Sequence, residues 1–442
     1  GVHGWIYSSN ESRLMTRFWQ LWGSIIFGIT LRLLEHHQPS MAGAYTIRER
    51  RQTEWMAPRT SRGKSNVTLV LQATENRFWM LAYICGRWKS PISFVGYYHE
   101  NNFKSFKKAS RSCVDIKMSP YIAKSKSEPY PINRLRNIGI QAVETRFFIM
   151  LDIDFWPDTS LHETLNRFAS SMGKHTDGSS GGRKTKRALI VPAFRTTWLN
   201  QSCRVAEQCP DDFDAAVPNS FPQLVRCVSA NFCRIFDWVH NANGHSTTDY
   251  PLWFMQNESR LRKVTCFRSD RYEPYVLLEN APDMMLYDES FTGYGKNKIQ
   301  HIMHLRSQNY EFFVVPRSFI VHVSHTPSKV KKEWIRHDFH RQRMEERFRN
   351  FKDALSEASN YTHLKTGLCT MDWKTLTRKR HKKRDSTFYT DMWMSTGIAA
   401  RKVAVKLKYA NALIGDERYH YREDILKPPC ERADFIKSPS CY

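Results

Sequence analysis

The sequence predicts an α/β domain built on a central sheet, and three observations carry that prediction. The apolar run Phe147-Phe148-Ile149-Met150-Leu151 ends in Asp152-Ile153-Asp154, with Pro157 closing the segment. An uninterrupted apolar run of this length reads as a strand buried on both faces, as in parallel sheets. Upstream, a strand, a helix and a strand follow one another between Val67 and Tyr98, the pattern of a βαβ unit. Downstream, short apolar runs recur at Ala188–Phe194, Tyr272–Leu278 and Phe312–His325, separated by helical or loop segments.

Taken in order, residues 35 to 64 are polar and basic without periodicity, which reads as a linker. Val67–Leu71 is a strand. Arg77–Trp88 has helical spacing, with Phe78, Leu81, Ala82 and Cys85 on one face. Pro91 breaks it, and Ile92–Tyr98 is the next strand. Lys104–Arg111 is a basic loop or helix face. Pro131–Val143 reads as a helix opened by proline, feeding the Asp-x-Asp strand. Ser160–Ser170 is a short helix with Ser160 as its expected N-cap. Residues 171 to 187 form a Gly/Ser/Lys/Arg insertion, and the cysteine-bearing stretch 198 to 245 has no clear pattern. The glycine loop in Asp288–Lys296 precedes a helix from about Lys296. Residues 331 to 358 are helical and charged. From about 366 the chain is basic and poorly patterned. The expected organisation is an N-terminal segment over 1–65, a folded domain over 66–360 and a basic extension over 361–442.

The chain has 442 residues, 41% hydrophobic content and a formal net charge of +24. That charge suits nucleic acid, an anionic membrane surface, or substrates such as sugar diphosphates and acidic glycans. The ten cysteines contain no C-x-x-C pair, which argues against a zinc ribbon. Cys203/Cys209 and Cys227/Cys233 are close enough to be disulfide candidates. Sequons at Asn10, Asn66, Asn200, Asn257 and Asn360 lean, with the cysteines, towards the secretory pathway. Residues 18–34 are the candidate membrane anchor. Their apolar part is about 14 residues, short of the roughly 20 a spanning helix needs, so a signal anchor and a buried or interfacial helix both remain open.

Asp152 and Asp154, two apart near a strand end, project to the same side. The carboxyl end of a central strand is where open α/β sheets bind ligands, and paired hard oxygen ligands there suit Mn²⁺ or Mg²⁺ holding a diphosphate. Three further groups stand with them. Asn133, Arg134, Arg136 and Asn137 on the preceding helix could bind phosphate or ribose. Asp288, just before the glycine loop, could take a proton from an acceptor hydroxyl. His322 and His325 could complete a divalent-metal site.

The order of these pieces resembles the LARGE-type glycosyltransferases, that is, the glucuronyltransferase domain of LARGE and its β-1,4-glucuronyltransferase relatives in glycosyltransferase family 49. The matching stretches are VTLVLQATENRFWMLAYICGRWKSPISF, YPINRLRNIGIQ, FIMLDIDFWPDTSLHETL, ALIVPAF, GHSTTDYPLW, YEPYVLL, YDESFTGYGKNKIQHIMHL and EFFVVPRSFIVHVSHTPS, colinear from about residue 66 to 335. The resemblance implies a GT-A (Rossmann-like) fold with a mixed central sheet, a UDP-sugar donor (UDP-glucuronate), Mn²⁺ and inversion at the anomeric carbon. It further implies a glycan or glycoprotein acceptor and a Golgi membrane protein of type II with a lumenal catalytic domain. Asp152, Asp154 and His322 are then the metal ligands, with His325 in reserve. Asp288 is the general base or an acceptor contact. Gln72, Arg134, Arg136 and Asn137 bind the donor. Ser324 stands where the family has proline, His304 where an acidic residue is usual, and Glu289 and the 171–187 insertion have no clear counterpart. The rival readings are a basic nucleic-acid- or polyanion-binding protein and a glycosyltransferase-like protein without activity. Against the first, the basic runs do not coincide with Asp-x-Asp and no RNA-binding motif is present.

Overall fold

The computed structural model describes residues 67–99, 104–125, 128–172, 186–196, 203–238, 241–357, 364–369 and 395–404. The anchor candidate, the linker, sequons Asn10, Asn66, Asn200 and Asn360, and most of the 171–187 insertion and the basic extension lie outside them. Among the described residues no helix is long and apolar enough to cross a membrane.

The strands, in chain order, are β1 (Val67–Thr74), β2 (Ile92–Tyr98), β3 (Ile116–Ile122), β4 (Phe147–Asp152), β5 (Phe155–Pro157), β6 (Arg187–Val191) and β7 (Ala193–Thr196). They continue as β8 (Cys233–Ile235), β9 (Arg262–Val264), β10 (Cys266–Phe267), β11 (Tyr275–Glu279), β12 (Glu311–Val314), β13 (Ile320–His322) and β14 (Gly367–Leu368). The helices that shape the site are α1 (Met80–Arg87), α2 (Ile132–Gln141), α3 (Leu161–Met172), α4 (Asn297–Ser307), α5 (Lys329–Arg336) and α6 (Asp338–Glu357).

An eight-stranded sheet runs β3-β2-β1-β4-β11-β6-β12-β9. Its first four strands are parallel. β11 enters antiparallel between β4 and β6, β12 runs parallel to β6, and β9 closes the edge antiparallel. The protein is thus α/β with a mixed central sheet, and β4 sits inside it with Phe147–Leu151 buried, as its apolar run requires. A four-stranded sheet, β5-β13-β7-β8, begins three residues after β4 ends. Ile153-Asp154 is therefore the corner at which the chain passes from one sheet to the other.

Helix α2 packs on β1 and β2 through a glycine. A Cβ at Gly139 would stand 2.7 Å from Val70 Cγ1 and 3.2 Å from Val95 Cγ2, and Ser93 Oγ donates to the Gly139 carbonyl at 2.7 Å. Close approach of helix to sheet at this point fixes where Arg136, one turn earlier, enters the sheet end.

Some elements differ from expectation. The helix expected over 331–358 is two helices, because His337 is extended at φ −113° and ψ 99°. Ser160 stands at the N-cap of α3 as expected, its carbonyl accepting from the Thr164 amide at 2.9 Å, but its hydroxyl turns to the buried Asp158 Oδ1 at 2.5 Å. Disulfides form at both expected pairs, Cys203–Cys209 and Cys227–Cys233, and also at Cys85–Cys113 and Cys266–Cys369. The last spans 103 residues and clamps β14 beside β10. Ala400 is also buried in the main core, so described parts of the basic extension pack on the domain.

Two imidazoles are buried in the interior. His301, stacked on Tyr287 at 3.9 Å, is pushed down to about 3 by burial and then by His304 and Arg136. His245, edge-on to Phe236, is pushed down to about 3 by burial and then by Lys298.

Two predictions follow from this packing. Gly139→Ala forces the helix off the sheet and costs about 1–3 kcal/mol, read as a Tm lowered by several degrees; an unchanged Tm would refute the close-packing account. Each buried histidine has its folded pKa depressed from 6.5 to about 3. Its contribution to stability is therefore complete above the unfolded pKa and is lost as pH falls, by about 2 kcal/mol each at pH 5. Tm should drop between pH 7 and pH 5, and the drop should be shallower in His301→Phe. Equal slopes in the two proteins would exclude His301 as a source of acid sensitivity.

Candidate active site

The site lies at the carboxyl end of β4 and is organised by two carboxylates with different surroundings. Asp152 ends β4 and is paired in register with Gln72 of β1. Its Oδ1 accepts from Arg136 Nη2 at 2.9 Å. Its Oδ2 accepts from Tyr275 OH at 2.7 Å and from Lys298 Nζ at 3.1 Å. Lys298 also donates to the Tyr275 oxygen at 2.7 Å. Burial alone would raise the Asp152 carboxyl, but Lys298 and Arg136 outweigh it and hold the group well below the usual range.

Asp154, at the corner between the sheets, faces the histidines. Antiparallel pairing sets His322 opposite Phe155, and the Val323 amide donates to the Asp154 carbonyl at 2.9 Å. His325 Nε2 lies 2.7 Å from Asp154 Oδ2, and Arg77 Nη1 donates to the same oxygen at 3.1 Å. His325 Nδ1 lies 3.0 Å from Arg77 Nη2 and 2.9 Å from the Thr326 carbonyl oxygen. Burial would raise the Asp154 carboxyl; the His325 hydrogen bond, His322 and Arg77 more than reverse this.

The donor set fits a divalent cation. Ligand atoms of Asp154, His322 and His325 all lie within 4.8 Å of one another. His322 Nε2 approaches Asp154 Oδ2 only to 3.7 Å, and its Nδ1 is buried without a partner among the described residues. Burial pushes this imidazole down to about 3, so it is a neutral base with an uncommitted lone pair. One carboxylate oxygen and two imidazoles suit Mn²⁺ and neighbouring first-row ions.

Not every residue picked from the sequence meets at this point. Asp152, Asp154, Arg136 and His322 converge, and Gln72 lies beside Asp152 with its Oε1 accepting from Tyr130 OH. Arg136 spends its other nitrogen on Asn133 and Asn297, at 3.1 and 2.9 Å. Asn137 clamps the Tyr287 backbone through both ends of its amide, each at 2.9 Å, and reaches Glu289 at 3.0 Å. Arg134 is exposed over the Tyr121 ring. Asp288 caps its own turn, accepting from the Ser290 amide at 2.9 Å, while its carbonyl accepts from Asn133 at 2.7 Å.

Other residues at the site were not singled out from the sequence. Arg77 follows the carboxyl end of β1, the side on which open sheets bind ligands; that position was the available signal. Tyr275 and Lys298 needed the antiparallel insertion of β11, which no local pattern reveals. Glu273, two residues before Tyr275, accepts from Asn241 Nδ2 at 2.7 Å. Gly244 makes room for this pair, since a Cβ there would stand 2.5 Å from Asn241 Nδ2 and 3.2 Å from Glu273 Oε1. Burial raises the Glu273 carboxyl, with Asp237 and Asp152 adding and Lys298 and Asn241 opposing. Tyr294, in the glycine loop, is raised by burial first and then by the charges of Glu273, Asp237, Asp154 and Asp152.

Comparison with known proteins agrees on one family. Residues 99–359 match the family described as "Glycosyl-transferase for dystroglycan". Xylosyl- and glucuronyltransferase LARGE2 of Rattus norvegicus is 32% identical over 267 residues, covering 60% of this chain and 35% of that protein. The Mus musculus LARGE2 is 32% identical over 296 residues, covering 66% and 38%. The chain thus spans little more than a third of the length of these curated relatives. A crystal structure of S. aureus TarS in complex with UDP-GlcNAc is similar over 60% of each chain with 9% identity and a TM-score of 0.34, a likeness too slight to bear on the fold. On the match across residues 99–359, the chain belongs to the glycosyltransferase family described as "Glycosyl-transferase for dystroglycan".

Proposed function

We propose that this chain is a metal-dependent, inverting glycosyltransferase that moves a sugar, glucuronic acid first among candidates, from a UDP-sugar donor to a glycan hydroxyl. The observation that carries the reading is the pair Asp152 and Asp154, both ionised, at the carboxyl end of a buried central strand, with two histidines against the second. The donor class draws on the relatives, whose names carry both xylosyl and glucuronyl activities.

Asp154, His322 and His325 are the residues that would hold Mn²⁺, with Asp152 beside them. When bound, such an ion offsets diphosphate charge and stabilises UDP as leaving group. The chain's own cations do related work. Lys298 and Arg77 lie at the carboxylates with side chains 13% and 12% exposed, near enough to the surface to meet a diphosphate. Arg136 is buried, and its role is to hold Asp152 in place.

Of the two candidate bases, Asp288 and Glu273, the surroundings favour Glu273. Burial raises its carboxyl above the ordinary glutamate value, the direction that suits a general base. Asp288 points to its own turn and acts on His304, which suits shaping the loop. In the reaction the acceptor hydroxyl gives its proton to Glu273, and its oxygen bonds to the anomeric carbon from the face opposite UDP. The bond to the UDP oxygen breaks and its electron pair leaves with UDP. The four disulfides support an oxidising compartment, in keeping with a lumenal enzyme of the Golgi membrane.

The decisive test is UDP release across a panel of UDP-sugars, with Mn²⁺ or EDTA, beside Asp154→Ala. Release with one donor, dependent on metal and lost in the variant, is expected. No release with any donor, and no UDP binding in Mn²⁺, would sink the reading. In a transfer assay Glu273→Gln should lower kcat by about 10²–10⁴-fold with UDP affinity retained, and Asp288→Asn should cost less. The reverse order would return the base to Asp288.

A further inference from the structure

One reactive group on the surface is left over by the fold. Of the five N-x-S/T sequons, Asn257-Glu258-Ser259 falls among the described residues. It occupies the turn between the short helix Tyr250–Phe254 and β9, the edge strand of the eight-stranded sheet. Asn257 Oδ1 accepts from the Ser259 amide at 2.8 Å and from the Ser259 hydroxyl at 2.6 Å. The Arg260 amide donates to the Asn257 carbonyl at 3.4 Å, closing the turn. The side-chain oxygen is thus engaged. The side-chain nitrogen Nδ2 has no hydrogen-bond partner among the described residues, and Asn257 is exposed.

The groups around Asn257 are tied inward. Trp253 Nε1 donates to the Val315 carbonyl at 2.8 Å, and Gln256 Nε2 donates to the Val314 and Arg260 carbonyls at 3.1 and 2.9 Å. Arg167 of α3 donates to the Glu258 carbonyl at 3.3 Å, and Arg317 pairs with the Glu258 carboxylate at 2.6 Å. The turn is therefore held from the sheet and by two arginines, with Asn257 on its outer side. Two apolar side chains on the same stretch face solvent, Leu252 at 54% and Met255 at 50% exposure. Among the described residues β9 pairs with β12 alone, so its other edge is open. An open strand edge next to exposed apolar groups invites association between chains.

We propose that Asn257 is an N-glycan acceptor and that its glycan covers Leu252, Met255 and the β9 edge. The chain is here the substrate of a second enzyme, whose donor is a polyprenyl diphosphate oligosaccharide. Asn257 Nδ2 bonds to C1 of the first sugar. The bond from C1 to the diphosphate oxygen breaks, and its electron pair leaves with the diphosphate. The proton lost from Nδ2 goes to a base of that enzyme. Glu258 meets the one restriction on the middle position, that it not be proline. The proposal rests on the oxidising compartment that the four disulfides support, and it does not depend on the donor, acceptor or base of the chain's own reaction.

The test is peptide mass spectrometry on the full chain expressed behind a cleavable secretion signal in cultured animal cells. The tryptic peptide 235–260 holds this sequon and no other. Peptide N-glycosidase in heavy-oxygen water should convert its asparagine to labelled aspartate in most molecules. Ser259→Ala should lower the labelled fraction by about ten-fold or more, because the hydroxyl is part of the acceptor triplet. Asn257 unlabelled in the secreted chain leaves a turn-forming asparagine only and overturns the proposal. Equal labelling in Ser259→Ala overturns it too, since the label then reports deamidation. The covering role is read by light scattering. Enzymatic removal of glycans should speed aggregation several-fold in the wild type and much less in Asn257→Gln, and equal increases would overturn that role. UDP release is read separately. Labelling without UDP release with any donor keeps the glycan site and removes the transferase, and UDP release with Asn257 bare does the reverse.

Discussion

The ion pair between Arg136 and Asp152 is the constraint on which the site depends. Arg136 is 1% exposed, and it joins α2 to the end of β4, with a further bond to Asn297 at the start of α4. Asp152 in turn draws in Tyr275 of β11 and Lys298 of α4. Four elements, remote in sequence, thus meet at a single carboxylate. Removing the arginine would leave a buried carboxylate short of a partner, which is costly, and removing the aspartate would strand a buried guanidinium. The pair also explains the division of labour between the two aspartates. With Asp152 neutralised from behind, Asp154 is left to the histidines and to Arg77.

Much of this arrangement was legible in the chain. The apolar run of β4 can only be a strand covered on both faces, and it is. The proline before α2 and the glycine loop before α4 marked both helix starts to within a residue. Aspartates two apart and histidines three apart announced their chemistry by type and spacing. What the sequence withheld was long-range pairing. That β11 slips antiparallel between β4 and β6 follows from no local pattern, so Tyr275 and Lys298 could not be assigned to Asp152. The same holds for Glu273, which becomes a candidate base only when β11 is in place. Spacing also could not say that Asn137 would be consumed in holding the Tyr287 backbone, because an exposed and a buried amide look alike in one dimension.

Glycines at the loop before α4 show how a site can be shaped by what is missing. Gly293 and Gly295 take left-handed backbone at φ +67° and +93°, and each brings a side chain from the following helices down onto bare Cα, His340 on the first and Trp334 on the second. The loop, and with it Tyr294, is fixed from above by α5 and α6 and from below by Asn133 and Asn137. The wall of the site, although built from a loop, is thus packed from both sides.

The disulfide between Cys266 and Cys369 closes the chain into a covalent ring that holds Glu273, Tyr275, Lys298, His322 and His325, whereas Arg77, Arg136, Asp152 and Asp154 come from the open arm that precedes it. The site is a seam between the two. Neither part owns a complete set of groups: the arm supplies the two aspartates and two guanidiniums, and the ring supplies the imidazoles, the ammonium, the phenol and the Glu273 carboxyl. The disulfide restricts the unfolded ring, which lowers the entropy that bringing ring and arm together must overcome. Oxidation thereby acts on assembly of the seam without touching a single reacting atom.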